Sequence, residues 1–199
     1  MIRAVKLAVL AAGLPALLGA CVNVIPQPET PEALYRFGPM ESAHTLNATL
    51  VVREPEASRL FSGRQIAVED ATGALRIVRG IQWTDSATSM MQTALLDTLG
   101  GQGSHVAVPS DTGAPARYEL AWRISDFTLS GNTARCRLEA TLLEGRRRTV
   151  LSQTTVATSA VALDASNPAR AKALTDAGRA CVSEVAAFVA DATTAIAED

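Results

Sequence analysis

Tyr118-Glu119-Leu120-Ala121-Trp122-Arg123-Ile124 places Tyr118, Leu120, Trp122 and Ile124 on one side and polar or small residues on the other. A period of two is the mark of a strand with one buried face. After the turn Ser130-Gly131-Asn132 the pattern returns, with Ala134, Cys136, Leu138, Ala140 and Leu142 set against Arg135, Arg137, Glu139 and Thr141. Gly145 and Arg146-Arg147-Arg148 make a second turn. Thr149 to Ala160 then runs back as a β-prone strand whose threonines leave its register open. Strands joined in succession by tight turns predict an antiparallel meander.

Outward from this meander the period changes. Downstream, Asn167 is the expected N-cap of a long helix, with Pro168 at the first helical position, where its missing N–H costs nothing. Leu174, Gly178, Cys181, Val185, Phe188, Val189, Ala192 and Ile196 fall on one stripe that must be buried. Upstream, Asp85 is the expected cap of a second helix in which Ala87, Met91, Ala94, Leu95 and Leu99 recur at helical spacing and Gly100-Gly101 is the stop. His105 to Val108 reads as a short strand closed by Pro109. Gln65 to Val68 and Leu75 to Val78, separated by Asp70-Ala71-Thr72-Gly73, read as a hairpin, and Leu46 to Val52 as a strand ended by Pro55. The order strands, helix, strands, helix predicts an α+β domain: an antiparallel sheet with two main helices packed on one face.

The N-terminus is of another kind. Arg3 and Lys6 precede an apolar run from Leu7 to Ala20, which has the anatomy of a secretory signal and is too short for a membrane span. Leu18-Gly19-Ala20-Cys21 resembles the bacterial lipobox. That resemblance implies a Cys21 thiol carrying diacylglycerol, with palmitate-type chains, and a mature protein beginning at Cys21. Val22 in place of aspartate implies sorting to the outer membrane. Pro26, Pro28, Pro31 and Pro39 make the next stretch an extended tether, within which Leu34-Tyr35-Arg36-Phe37 is an apolar patch able to dock. The expected divisions are a signal over 1–20, a lipidated tether over 21–44 and a folded domain over 45–199.

Composition narrows the chemistry. The 199 residues carry a formal net charge of −2 and only 4% aromatic residues, so neither a nucleic-acid stripe nor a stacking platform is present. There is no Gly-x-Ser-x-Gly elbow, no His-x-x-x-His pair and no phosphate loop, and Gly100, Gly101 and Gly103 follow a helix rather than open one. No catalytic set, metal or cofactor is expected. With Cys21 assigned to lipid, Cys136 and Cys181 remain as a pair in an oxidising compartment. A disulfide between them would close a loop of about 45 residues, worth about 3–4 kcal/mol if unstrained; the alternative is two buried thiols acting as small hydrophobes. Arg146, Arg147 and Arg148 are a contact for anionic headgroups or a partner, or a solvated turn. Trp83 is a partner-facing anchor or a core residue.

Several features come in the order of one family: the lipobox, Tyr35-Arg36-Phe37, Arg64-Gln65-Ile66-Ala67-Val68, Gly80-Ile81-Gln82-Trp83 ahead of a helix, Tyr118-Glu119-Leu120 to Asp126-Phe127, and the alanine-rich last helix. The chain resembles the ABC-type transport auxiliary lipoproteins, companions of MCE-type (mammalian cell entry) lipid-shuttling transporters and related to the paraquat-inducible system's lipoprotein. It departs from them at Thr84-Asp85-Ser86, where the family often has an acidic residue and proline. The resemblance implies a non-enzymatic outer-membrane component facing the periplasm. It would dock the far end of an MCE-protein tunnel, with phospholipid or another hydrophobic molecule as cargo and an inner-membrane permease and ATPase as partners. A homo-oligomer is compatible with it. The rival readings are a ligand-binding or scaffolding envelope lipoprotein and an enzyme with a dispersed site.

Overall fold

A computed structural model of the chain describes residues 30–102 and 105–198. The signal, Cys21 and the first part of the tether lie outside the described residues. Among the described residues are β1 (Ala33–Tyr35), β2 (Leu50–Val52), β3 (Glu56–Ala57), β4 (Gln65–Glu69), β5 (Leu75–Trp83), α1 (Ala87–Leu99), β6 (Gly101–Gln102), β7 (His105–Pro109), β8 (Tyr118–Ser130), β9 (Thr133–Glu144), β10 (Val150–Val161) and α2 (Asn167–Glu198).

The strands form one sheet organised around β8. One edge of β8 pairs antiparallel with β9, and β9 with β10, which is the meander expected from the sequence. A bulge between Ile124 and Asp126 shifts the register against β9. The extra residue moves the buried positions from Tyr118, Leu120, Trp122 and Ile124 to Phe127 and Leu129, so both halves of the strand face the core. Alternation alone ends this strand at Ile124; the bulge carries it to Ser130.

The other edge of β8 corrects the expectation of an antiparallel sheet. There β2, β3 and β4 lie in succession, all parallel to β8: Leu50–Val52 opposite Tyr118–Leu120, Glu56–Ala57 opposite Arg123–Ile124, and Ala67–Glu69 opposite Thr128–Ser130. Strand β7 is parallel to β2, and β1 to β5. The sheet is therefore mixed. Parallel neighbours need a long crossover, and the one from β2 to its neighbour β7 runs through β3, β4, β5 and α1. The expected hairpin of β4 and β5 is present, and Asp70 closes its turn: one carboxylate oxygen accepts from Thr72 N (2.9 Å) and Ala74 N (3.1 Å), the other from Arg76 Nε (3.0 Å).

Both helices lie on one face of the sheet, α2 across β9 and β10 and beside α1. Their caps differ from those expected. Ser86 caps α1 by accepting from Ser89 N (3.1 Å), while Asp85 binds the Ser89 hydroxyl. Ser166 takes the same place on α2, accepting from Ala169 N, while Asn167 reaches to Arg79 O. In each case the serine one position away from the expected cap has the correct phase to meet the third N–H of the helix. No helix among the described residues is long and apolar enough to cross a membrane.

The stretch Pro31 to Glu41, read above as tether, belongs to the fold. β1 lengthens the sheet beside Ile81–Trp83, and Phe37 is buried against Trp83 (centroids 5.9 Å) and Phe127 (6.1 Å). Arg179 of α2 donates to Phe37 O and Pro39 O. Gly178 makes this possible: a Cβ there would meet Phe37 Cζ at 2.6 Å and Phe127 Cε2 at 3.1 Å.

Two tests follow from this packing. Glycine inside a helix is normally inferior to alanine by about 1 kcal/mol, so Gly178→Ala would stabilise a helix that did not need the gap. Here it is expected to destabilise by about 1–3 kcal/mol in urea unfolding, through overpacking against Phe37. The second concerns Asp70, whose carboxyl is held at about 2 by the Thr72 hydroxyl first and then by the Thr72 and Ala74 amides. A lowered folded value means that the turn is supported above the unfolded value near 3.8 and loses that support as pH falls through about 2. An NMR titration of the Asp70 carboxyl is expected to show a midpoint near pH 2; a midpoint near 3.8 would mean that the Asp70 turn does not form.

Candidate functional site

The sequence singled out Trp83, the thiol pair and the arginine turn, and the fold separates them. Trp83 ends β5 and is fully buried, stacked on Phe127 (centroids 5.5 Å, 17° between planes) with Phe37 against its edge. It is a core residue and presents nothing to a partner. An apolar residue closing a strand just before a helix enters the seam between the two elements, where a ring of this size is covered from both sides.

Cys136 on β9 and Cys181 on α2 are brought together under the helix, as their positions on two apolar faces suggested. The bridge considered for them is not formed in the structure: both are free and buried. The hydrogen bond with Cys181, followed by burial, pushes the Cys136 thiol well above its ordinary range. Cys136 is thereby kept protonated and is a poor nucleophile at neutral pH. Cys181 Sγ also lies 3.9 Å from Val156 O of β10.

Arg146, Arg147 and Arg148 form the exposed turn between β9 and β10. Glu144 shapes it, accepting from Arg147 N through its carboxylate and from Arg148 N through its carbonyl (2.8 Å). Arg148 adopts a left-handed φ of 56° and pairs with Glu119 of β8 (3.5 Å). Arg146 borders a hollow of about 230 Å³ with Val51, Ala114 and Pro115. The turn is a cationic projection on a rigid hairpin, at the end of β8 that begins with Tyr118.

A polar constellation on the outer sheet face went unread in the sequence. Arg135 of β9 meets Glu69 of β4, Asp126 (3.2 Å) and Thr128 Oγ1 (3.2 Å) of β8, and the Thr128 hydroxyl donates to Asp126 (2.7 Å). Nearby, Arg123 pairs with Glu139 (2.8 Å), and its hydrogen bond holds the Glu139 carboxyl below the ordinary range. Each charged member faces an opposite charge, Arg135 serving both Glu69 and Asp126, so the face is stapled across three strands. The only sequence signal was the alternation of charges along β8 and β9, which does not say which cross-strand pairs meet. Among the described residues no group of three or more His, Cys, Asp or Glu side chains is placed to hold a metal. Between α1 and the docked N-terminal segment lies an open hollow of about 280 Å³, bordered by Arg36, Phe37, Thr84, Met90 and Asp97.

Comparison with known proteins adds what geometry alone lacks. The family model described as "ABC-type transport auxiliary lipoprotein component" matches residues 35–190. A Xanthomonas campestris protein of the DUF330 family has the same fold, with a TM-score of 0.72 at 18% identity over 84% of this chain and 100% of that one. An uncharacterized protein is similar with a TM-score of 0.62 at 11% identity, over 80% of this chain and 99% of that one. At these identities the likeness is one of fold. No curated protein matches the chain.

The thiol pair gives a direct test. In protein without a free thiol at Cys21, for example Cys21→Ser, denaturation without reductant is expected to expose two thiols to maleimide, raising the mass by two adducts, whereas the folded protein takes up neither. Absence of both adducts in the denatured, unreduced protein would show that the pair had bridged.

Proposed function

The chain belongs to the family of ABC-type transport auxiliary lipoprotein components, and from that premise we propose that it serves an MCE-type transporter as a non-enzymatic docking component of the outer membrane. Cys21 is acylated and holds the protein to the periplasmic side of that membrane. The domain receives the far end of the shuttle or tunnel through which phospholipid, or another hydrophobic molecule, passes from the energised inner-membrane permease and ATPase.

The observation that carries this reading is the extent of the family match. It runs from Tyr35 in β1 through every later strand to Ala190 in α2, so that the family domain is the folded domain. The character of the surface supports it. The core is closed by Leu50, Val52, Ile66, Leu120, Leu129, Leu138 and Leu142, all fully buried. The hollows described above are open and bordered by charged side chains. An acyl chain needs an enclosed apolar cavity, so the domain acts by contact rather than by carrying cargo. Arg146, Arg147 and Arg148 are the contact residues proposed for the transport partner. Trp83 has no part in it.

Affinity purification of the lipidated protein from envelopes is expected to bring down an MCE-domain protein. Replacing Arg146, Arg147 and Arg148 together by alanine should reduce that recovery at least severalfold while leaving the fold intact by circular dichroism. Recovery of no MCE-domain or permease subunit with the wild-type protein would sink the transport reading.

A further inference from the structure

The large apolar side chains that remain exposed are unevenly distributed. Six such residues are found among the described ones: Leu34, Leu75, Ile77, Val150, Val161 and Leu163. A single row of strand pairs places two of them, Leu75 and Val161, at one end of the sheet: Leu75 lies opposite Glu69, Glu69 opposite Ser130, Ser130 opposite Thr133, and Thr133 opposite Val161. Ile77 stands two residues in from Leu75 on the same strand, and Leu163 follows Val161 in the loop held by Ala162 N to Asn132 O (2.8 Å). Leu163 is 95% exposed and Val161 73%. Residues that terminate strands in water are ordinarily polar, and large exposed apolar side chains gathered at one end of a domain mark an interaction site.

β1 enters the sheet from the same end. β1 runs parallel to β5, with Ala33 beside Ile81 and Glu32 N bonded to Gly80 O (2.7 Å). The N-terminal end of β1 is therefore directed along β5 toward Leu75. Gly80 sits at a left-handed φ of 78°, and a Cβ there would meet the Glu32 carboxylate at 3.2 Å, so the chain's course past this point depends on glycine. Between Cys21 and Glu32 the chain spans at most about 40 Å even fully extended.

We propose that this end of the sheet, with Leu75, Ile77, Val161 and Leu163 as its apolar contacts, rests on the lipid surface in which Cys21 is anchored. The proposal relies on the acylation of Cys21 stated above. The four side chains enter the boundary between headgroups and acyl chains, as interfacial apolar groups do. Asp70 with Arg76, and Asp164 in the β10–α2 loop, stay at headgroup level. The acyl chains hold the protein to the membrane; the apolar end sets its attitude. β8 has 13 residues, which at about 3.3 Å each span about 40 Å, so the arginine turn is held about that far from the bilayer.

The test uses the mature lipidated protein in vesicles of phosphatidylethanolamine and phosphatidylglycerol with brominated acyl chains. The emission that Leu163→Trp adds to that of Trp83 and Trp122 is expected to be quenched at least twofold relative to unbrominated vesicles. Val150→Trp, at the far end of β10, should show no quenching beyond the background of the buried Trp83 and Trp122. Flotation with the vesicles without quenching at position 163 overturns the docking and leaves the anchor standing. Failure to float, with loss of the acyl mass on Cys21, overturns both.

Discussion

A missing side chain in α2 determines how this protein is put together. Gly178 leaves a gap into which the edge of Phe37 fits, and Arg179, the next residue, binds the carbonyls of Phe37 and Pro39. One turn of helix thus holds the N-terminal segment by both its ring and its backbone. Without that seat, the segment would keep the three residues of parallel pairing between β1 and β5 and a few backbone contacts, among them Ala43 N to Thr98 O, but lose the anchoring of the Phe37 ring. The point at which the chain enters the folded domain depends on this contact.

The second constraint is the bulge in β8. Below it the inward residues are Tyr118 to Ile124 in steps of two; above it they are Phe127 and Leu129. A strand of this length without the bulge would turn Phe127 to solvent and leave the Phe37 and Trp83 rings unsupported. Because the phase is corrected, one continuous strand pairs with the meander on one edge and takes β2, β3 and β4 on the other. The outer face then holds paired charges, Arg135 with Glu69 and Asp126, and Arg123 with Glu139. Such exposed pairs add little stability singly, but they favour this register over a slipped one, which would bring like charges together.

What the sequence made legible follows the range of the interaction. The β8–β9–β10 meander, the Asp70 turn and both helices are set by neighbours a few residues apart, and their periodicity reports them. The direction of β2, β3 and β4 against β8 is not, since more than 50 residues separate the pairs and no turn ties them. Local reading therefore supplied antiparallel pairing where parallel is found. Trp83 shows the same limit: its ring is apolar in any context, and only the arrival of Phe37 and Phe127 makes it core. The thiol pair was legible because Cys136 and Cys181 lie on stripes whose burial could be read separately. Leu163 carried no signal, because one leucine in a loop has no period.

The two ends of the sheet carry different chemistry, and on the proposed reading this is the working feature of the molecule. One end gathers Leu75, Ile77, Val161 and Leu163 beside the tether; the other presents Arg146, Arg147 and Arg148 on a turn braced by Glu144 and Glu119. An anchor at Cys21 alone would let the domain take many attitudes, and a partner arriving from across the periplasm would meet the arginine turn in random orientations. Association constrained to one patch is slow largely because of that orientational search. An apolar end lying on the bilayer removes much of it before the partner arrives, leaving the cationic end outward at a fixed height. The filled core fits the same division of labour. A domain that had to enclose an acyl chain would need a cavity between sheet and helices, and there the space is taken by Phe37, Trp83 and Phe127, the rings that fix the tether's point of departure.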